Sequence, residues 1–206
     1  MTAYECLRNP CRVSSIPFWK TRNIAVPDHM KIVHDKDFDT AILKEYDDEQ
    51  FFRLRHTLHN LISPKLPEHF IFCAATIDEF SEHINSCYVN LFVKVEELKE
   101  YRNHPVYSPD LWLAVKDDRT GMIVASGIAE LDNEIGEGVL EWIQVSNAFR
   151  GLGLGSCIVN ELLLRMNGKA EFVTVSGQCN NSSNPEALYR SCGFTGNDIW
   201  HILRKR

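Results

Sequence analysis

No run of about 18 apolar residues occurs in this 206-residue chain, so no membrane-spanning helix is expected. Basic residues are outnumbered, 22 Lys and Arg against 28 Asp and Glu, which leaves a formal net charge of −6. With an isoelectric point near 5.7, that balance argues against nucleic acid as the main partner. Residues 1–20 are broken by Arg8, Pro10, Arg12 and Pro17, so they lack the apolar stretch of a secretion signal. The seven cysteines are odd in number and irregular in spacing. They read as free thiols of a protein in a reducing cytoplasm. Without secretion, the glycosylation triplets at Asn180 and Asn181 mean nothing. There is no Gly-x-Ser-x-Gly elbow, so serine hydrolase chemistry has no support. His56 and His59 stand three apart, and Cys73 or His69 could be drawn beside them as metal ligands. No Cys-x-x-Cys pair accompanies them, and no metal is expected.

What is present is an ordinary soluble composition, 44 % hydrophobic and 24 % charged, long enough for one domain with a core and an extension. Ser63-Pro64-Lys65-Leu66-Pro67 marks a break. Residues 1–67 read as an N-terminal extension of unassigned role, with a helix expected over 48–60. It could cover a cleft, complete a homodimer or add strands. From 68 to 206 the pattern is regular. A strand is expected at 70–75, then a helix to about Cys87 opened by Thr76 with Glu79 in the capping-box place. A short helix at 94–102 follows, then strands at 111–115, 122–131 and 137–145. A helix at 156–166, a strand at 171–175, a helix at 185–191 and a strand at 199–204 complete the order. The fold class is therefore α/β (α+β), a mixed and mostly antiparallel twisted sheet flanked by helices.

Between the third of those strands and its helix lies Arg150-Gly151-Leu152-Gly153-Leu154-Gly155. Alternate glycines let backbone approach a ligand closely, and the helix behind aims free N–H groups and its positive dipole end at it. A phosphate or pyrophosphate is the expected ligand. No lysine ends the loop, which removes a mononucleotide P-loop. A dinucleotide site needs a third glycine where Ser156 stands, and Glu171 precedes its strand where a ribose-binding acid would end it.

The remaining reading rests on two ordered motifs. Trp142-Ile143-Gln144-Val145 with Phe149-Arg150-Gly151-Leu152-Gly153-Leu154-Gly155, and then Ala187-Leu188-Tyr189-Arg190-Ser191-Cys192-Gly193-Phe194, resemble the GNAT superfamily of N-acetyltransferases over roughly residues 70–206. The resemblance implies a GNAT-like domain at 68–206 that uses acetyl-CoA as acyl donor, without a metal. It implies that Ile143, Gln144 and Val145 pair through their backbone with the pantetheine arm, one main-chain N–H facing the thioester oxygen. It makes Arg150, Gly151, Leu152, Gly153, Leu154, Gly155 and Ser156 the pyrophosphate loop. Tyr189 is then the proton donor to the leaving thiolate. Asn180, Asn181 and Asn184 compete for a cofactor contact, and Asn184 before Pro185 also reads as a helix cap.

An attacking amine must first lose a proton. Glu141 is the candidate base, because simple alternation puts it on one strand face with Val139, Ile143 and Val145. Residues 120–149 contain no lysine or arginine but hold Glu130, Asp132, Glu134, Glu137 and Glu141. Such a field favours a cationic acceptor, whether a small amine, a protein N-terminus or a lysine. No covalent cysteine intermediate is required, although Cys179 and Cys192 lie near the second motif. The rival readings are a non-catalytic acyl-CoA-binding module and, behind it, a dinucleotide-binding domain.

Overall fold

The computed structural model describes residues 1–22, 25–88 and 91–206. Its first elements are helices α1 (Ala3–Arg8) and α2 (Pro10–Val13), strands β1 (Met30–His34), β2 (Tyr46–His56) and β3 (Phe70–Cys73), and helices α3 (Ile77–Cys87) and α4 (Val95–Tyr101). Strands β4 (Trp112–Asp117), β5 (Ile123–Asp132) and β6 (Glu137–Val145), helix α5 (Leu154–Met166), strand β7 (Phe172–Gln178), helix α6 (Pro185–Ser191) and strand β8 (Thr195–Lys205) follow. These elements form two compact units, Met1–Thr57 with Phe172–Arg206, and Leu58–Glu171.

In the first unit the strands run in the order β1-β8-β2-β7, each pair antiparallel. The helix expected over 48–60 is not formed. Its residues from Tyr46 to His56 are strand β2. Phe51, Leu54 and Leu58 satisfy helical spacing, but local propensity is a weak prior that tertiary pairing overrides. Here Phe51 pairs with Gln178 on one side and Trp200 on the other, so the backbone is satisfied along both edges. Arg53 in the middle of this strand is only 2 % exposed. Its guanidinium donates to Ser15 O at 3.3 Å, Ser176 Oγ at 3.1 Å and Thr174 Oγ1 at 3.3 Å, which a buried cation requires. The N-terminal segment thus supplies extra strands. The helical spacing of His56 and His59 disappears with the helix. His56 lies on β2 with its ring 5.3 Å from that of Phe194. The last strand begins at Thr195, earlier than the expected 199.

In the second unit the order is β6-β5-β4-β3, again antiparallel throughout. Helix α3 starts as the sequence implies. Glu79 N donates to Thr76 Oγ1 at 3.2 Å, and Thr76 N donates to the Glu79 carboxylate at 2.7 Å. Those bonds hold the Glu79 carboxyl below its usual range. Strand β6 carries a bulge, because Ile128 opposes Trp142 while Ala129 opposes Leu140, leaving Glu141 as the extra residue. Paired residues share a face, so Ile128 and Trp142 lie together, and both join Ile77, Phe80, Ile84, Val93 and Leu98 in the core built by α3 and α4. The opposite face carries Gly127 and Ile143 beneath α5. Gly127 is needed for this approach, since an added Cβ would collide with Ile158 and stand 3.0 Å from Leu162 and 3.1 Å from Ile143.

Replacing Gly127 by alanine is therefore expected to push α5 off the sheet. The loss should be about 1–3 kcal/mol, as for other overpacked cores. Urea unfolding measures it, and an unchanged midpoint would show that α5 yields freely.

Candidate active site

The loop after β6 is built for backbone exposure. Residues Asn147–Phe149 form one 3-10 turn, and then Gly151 and Gly153 both adopt φ +80°. That left-handed conformation costs other residues about 1–2 kcal/mol. A Cβ added at either glycine would meet nothing within 4 Å, so the ground above the turn is open. Gly153 is the N-cap of α5, and its helix receives no side-chain cap. The first bond of that helix runs from Cys157 N to Gly153 O at 3.0 Å, so the amides of the first turn point outward from the helix end. The helix begins at Leu154, two residues before the expected 156, and takes Leu154, Gly155 and Ser156 into its first turn. Arg150 is exposed and folds back, its Nε donating to Val145 O at 3.2 Å. That bond ties the loop to the end of β6.

Beside the loop lies a polar cluster that no motif in the sequence announces. The buried His83 ring on α3 sits 2.8 Å from Ser126 Oγ through Nδ1 and 3.0 Å from Ser146 Oγ through Nε2. The amide Nε2 of Gln144 donates to the same Ser126 hydroxyl. One helix, strands β5 and β6 and the entry to the loop are thus pinned by one imidazole. A neutral ring serves this arrangement, one nitrogen donating and the other accepting. Burial lowers the His83 pKa from its ordinary 6.5, which keeps the ring neutral. Gln144 is itself buried, and its Oε1 has no hydrogen-bond partner among the described residues. A lone histidine among Phe80 and Ile84 reads as packing in sequence, and nothing in the spacing pairs it with serines 43 and 63 residues away.

Glu141 is half-buried, and the bulge alters its setting. Simple alternation would place Val139 on one face with Ile143 and Val145. The extra residue reverses the phase, so Val139 shares the face of Trp142 and Gln144, while Ile143 and Val145 face the other way. Glu141 stands at the point of reversal.

The remaining expected residues belong to the first unit. Tyr189 on α6 is 7 % exposed and packs with its ring 6.2 Å from Phe52 and 5.8 Å from Phe194. Asn184 caps α6 from a left-handed conformation, φ +47°, with its Oδ1 accepting from Ala187 N at 3.4 Å. Asn181 Oδ1 is engaged locally, accepting from Ser183 N at 2.9 Å and Ser183 Oγ at 2.7 Å. Burial, and then the neighbouring Glu186 carboxylate, push the Cys179 thiol up, which makes it a poor nucleophile. Among the described residues no group of three His, Cys, Asp or Glu side chains is placed to hold a metal ion. Among them also, no helix is long and apolar enough to cross a membrane.

The antiparallel sheet with its flanking helices has the GNAT fold of the solved structures it resembles. Residues 108–196 match the family model described as an acetyltransferase (GNAT) domain. A GCN5-related N-acetyltransferase from Sphaerobacter thermophilus is similar over 90 % of this chain and 63 % of its own, with TM-score 0.69 and 18 % identity. A tandem GNAT protein of the clavulanic acid biosynthesis pathway is similar over 84 % and 62 %, with TM-score 0.63 and 14 % identity. Ard1 from Thermoplasma volcanium is similar over 66 % of this chain and 97 % of its own, with TM-score 0.51 and 13 % identity. The chain thus spans less than two thirds of the first two proteins. At such identities the likeness is one of fold. No curated protein matches the sequence.

The His83 cluster has a pH signature. Its folded pKa lies below 6.5, so the unfolded chain takes up the proton first as pH falls. Stability is therefore full above pH 6.5 and declines below it, toward the lower folded value. Thermal melts across this range should show the decline, and His83→Gln should flatten it. A variant slope equal to that of the parent would assign the effect to other groups.

Proposed function

We propose that the protein transfers an acetyl group from acetyl-CoA to a primary amine by direct attack within a ternary complex. The observation that carries this reading is the uncapped N-terminus of α5 behind two left-handed glycines, directly after β6. A pyrophosphate fits such a site, because backbone N–H groups and the helix dipole favour an anion without a lysine. Leu152 to Ser156 would supply those groups, with the Arg150 guanidinium beside them. The backbone of Ile143, Gln144 and Val145 would hold the pantetheine arm in the manner of an added strand. When bound, the donor supplies an activated acyl carbon joined to a good leaving group.

The chain's own residues then manage two protons. An alkylamine titrates near 10, so at neutral pH it arrives as an ammonium and must be deprotonated before its nitrogen attacks. Glu141 is the proposed acceptor of that proton. Its place on a β-bulge supports the role, since bulges re-aim side chains beside active sites. As the N–C bond forms and the C–S bond breaks, the departing thiolate takes a proton from Tyr189. No covalent enzyme intermediate is needed, in keeping with the raised Cys179 thiol. The acids at 130, 132, 134, 137 and 141, in a stretch without lysine or arginine, favour a cationic acceptor. Function in the cytoplasm, as monomer or homodimer, is part of the same proposal.

The test is acetyl-CoA turnover with an amine panel, followed by thiol release, alongside calorimetric binding of acetyl-CoA. Gly153→Ala should weaken acetyl-CoA binding about tenfold by straining the turn. Tyr189→Phe should lower kcat about 100-fold or more and leave acetyl-CoA affinity unchanged. Unchanged turnover in Tyr189→Phe removes the acid role. Tight acetyl-CoA binding without turnover on any amine would instead favour a non-catalytic acyl-CoA-binding module.

A further inference from the structure

The α3 and α4 side of the second unit carries a connected row of partly buried rings. Tyr88, at the end of α3, meets Trp142 edge-on with centroids 6.2 Å apart. Trp142 Nε1 donates to Tyr101 Oη at 3.3 Å, and the Tyr101 ring lies 6.4 Å from that of Trp112. Tyr88 is 37 % exposed, while the other three are half-buried on the core of Phe80, Ile84 and Leu98. The row begins at the bulge, because Trp142 directly follows Glu141.

The row ends at buried acid. The Tyr101 ring lies 5.1 Å from that of His104, and His104 Nδ1 is 3.6 Å from a Glu130 oxygen. Glu130 is 3 % exposed and faces the same side of the sheet as Trp142, since it pairs with Val139. Two positions further, on the same face, Asp132 is 6 % exposed. Its Oδ1 accepts from Glu134 N at 2.8 Å, but its Oδ2 has no hydrogen-bond partner among the described residues. A buried, half-satisfied carboxylate calls for a cation, and charge in a poorly hydrated place acts strongly.

We propose that this face receives the acceptor, and that the acceptor is an arylalkylamine, a primary ammonium carried on a flat apolar body. The inference rests on the acetyltransferase reading above. Rings offer an aromatic body edge and face contacts, and they attract an ammonium through their faces. The ammonium would lie at the bulge end of the row, beside Glu141. The buried acids at the other end add to the negative field on this face. A sugar amine would instead set hydroxyl groups against apolar ring surface, and a polyamine has no flat apolar body to cover the rings.

The experiment compares kcat/KM for 2-phenylethylamine, glucosamine, spermidine and a lysine-bearing peptide, with acetyl-CoA saturating. Phenylethylamine is expected to lead each of the others by about tenfold or more. Tyr88→Ala, at an exposed position, should raise KM for phenylethylamine about tenfold while KM for acetyl-CoA is unchanged, and Tyr88→Phe should restore it. A preference for the polar amines, or a Tyr88→Ala variant with unaltered amine KM, overturns this inference and leaves the transferase standing. Absence of turnover on every amine, with acetyl-CoA bound, overturns the transferase reading itself.

Discussion

One extra residue in β6 governs the second unit. Without the bulge at Glu141, strand alternation would run unbroken from Glu137 to Val145. Trp142 and Gln144 would then turn toward α5, and Ile143 toward α3 and α4. The observed pairing reverses that arrangement. Trp142 joins the core with Ile128, Gln144 reaches Ser126 and His83, and Ile143 takes the place beneath α5 beside Gly127. A shift of one residue moves every following side chain to the other face, so the bulge decides which helix each half of the strand serves.

The consequences reach the glycine turn by two routes. On one face, the absence of a side chain at Gly127 lets α5 approach closely through Ile158 and Leu162, which fixes the helix against the sheet. On the other, His83 holds Ser126 and Ser146, and Ser146 is the residue at which β6 gives way to the loop. The turn is thus bracketed by a packed apolar contact and a neutral polar one. Its own conformation needs little support, since Gly151 and Gly153 take left-handed angles without strain. That division suits a site where backbone groups must be rigid while the space above them stays open.

The capping box of Thr76 and Glu79, the bounds of β6 and α6, and the strand–glycine–helix order are all legible in the amino-acid sequence, because each is a local pattern set by spacing alone. The features that spacing misses share a different origin. Residues 46–56 carry apolar spacing that fits a helix or a strand, and only pairing with β7 and β8 decides between them. Strand β1 is short and depends on β8 for its partner. The bulge leaves no mark in the sequence, because Leu140-Glu141-Trp142 reads equally well as regular alternation. The His83 cluster joins three segments far apart in the chain, which no local rule connects.

The same distinction explains why the proposed donor side is legible in the sequence and the proposed acceptor side is not. Recognition of an anionic group by backbone depends on dihedral angles, and angles of that kind leave glycines at fixed spacing in one short stretch. Recognition of an amine depends on side chains, and here the candidates come from the end of α3, the end of α4, β5 and β6. Their residue types are individually ordinary, since tyrosine, tryptophan and glutamate occur throughout the chain. Only the reversal at Glu141, which turns Trp142 toward Tyr88 and Tyr101, gathers them on one face. The proposed base and the proposed acceptor wall thus depend on the same added residue, so deleting the bulge would disturb both, together with the contacts that bracket the glycine turn.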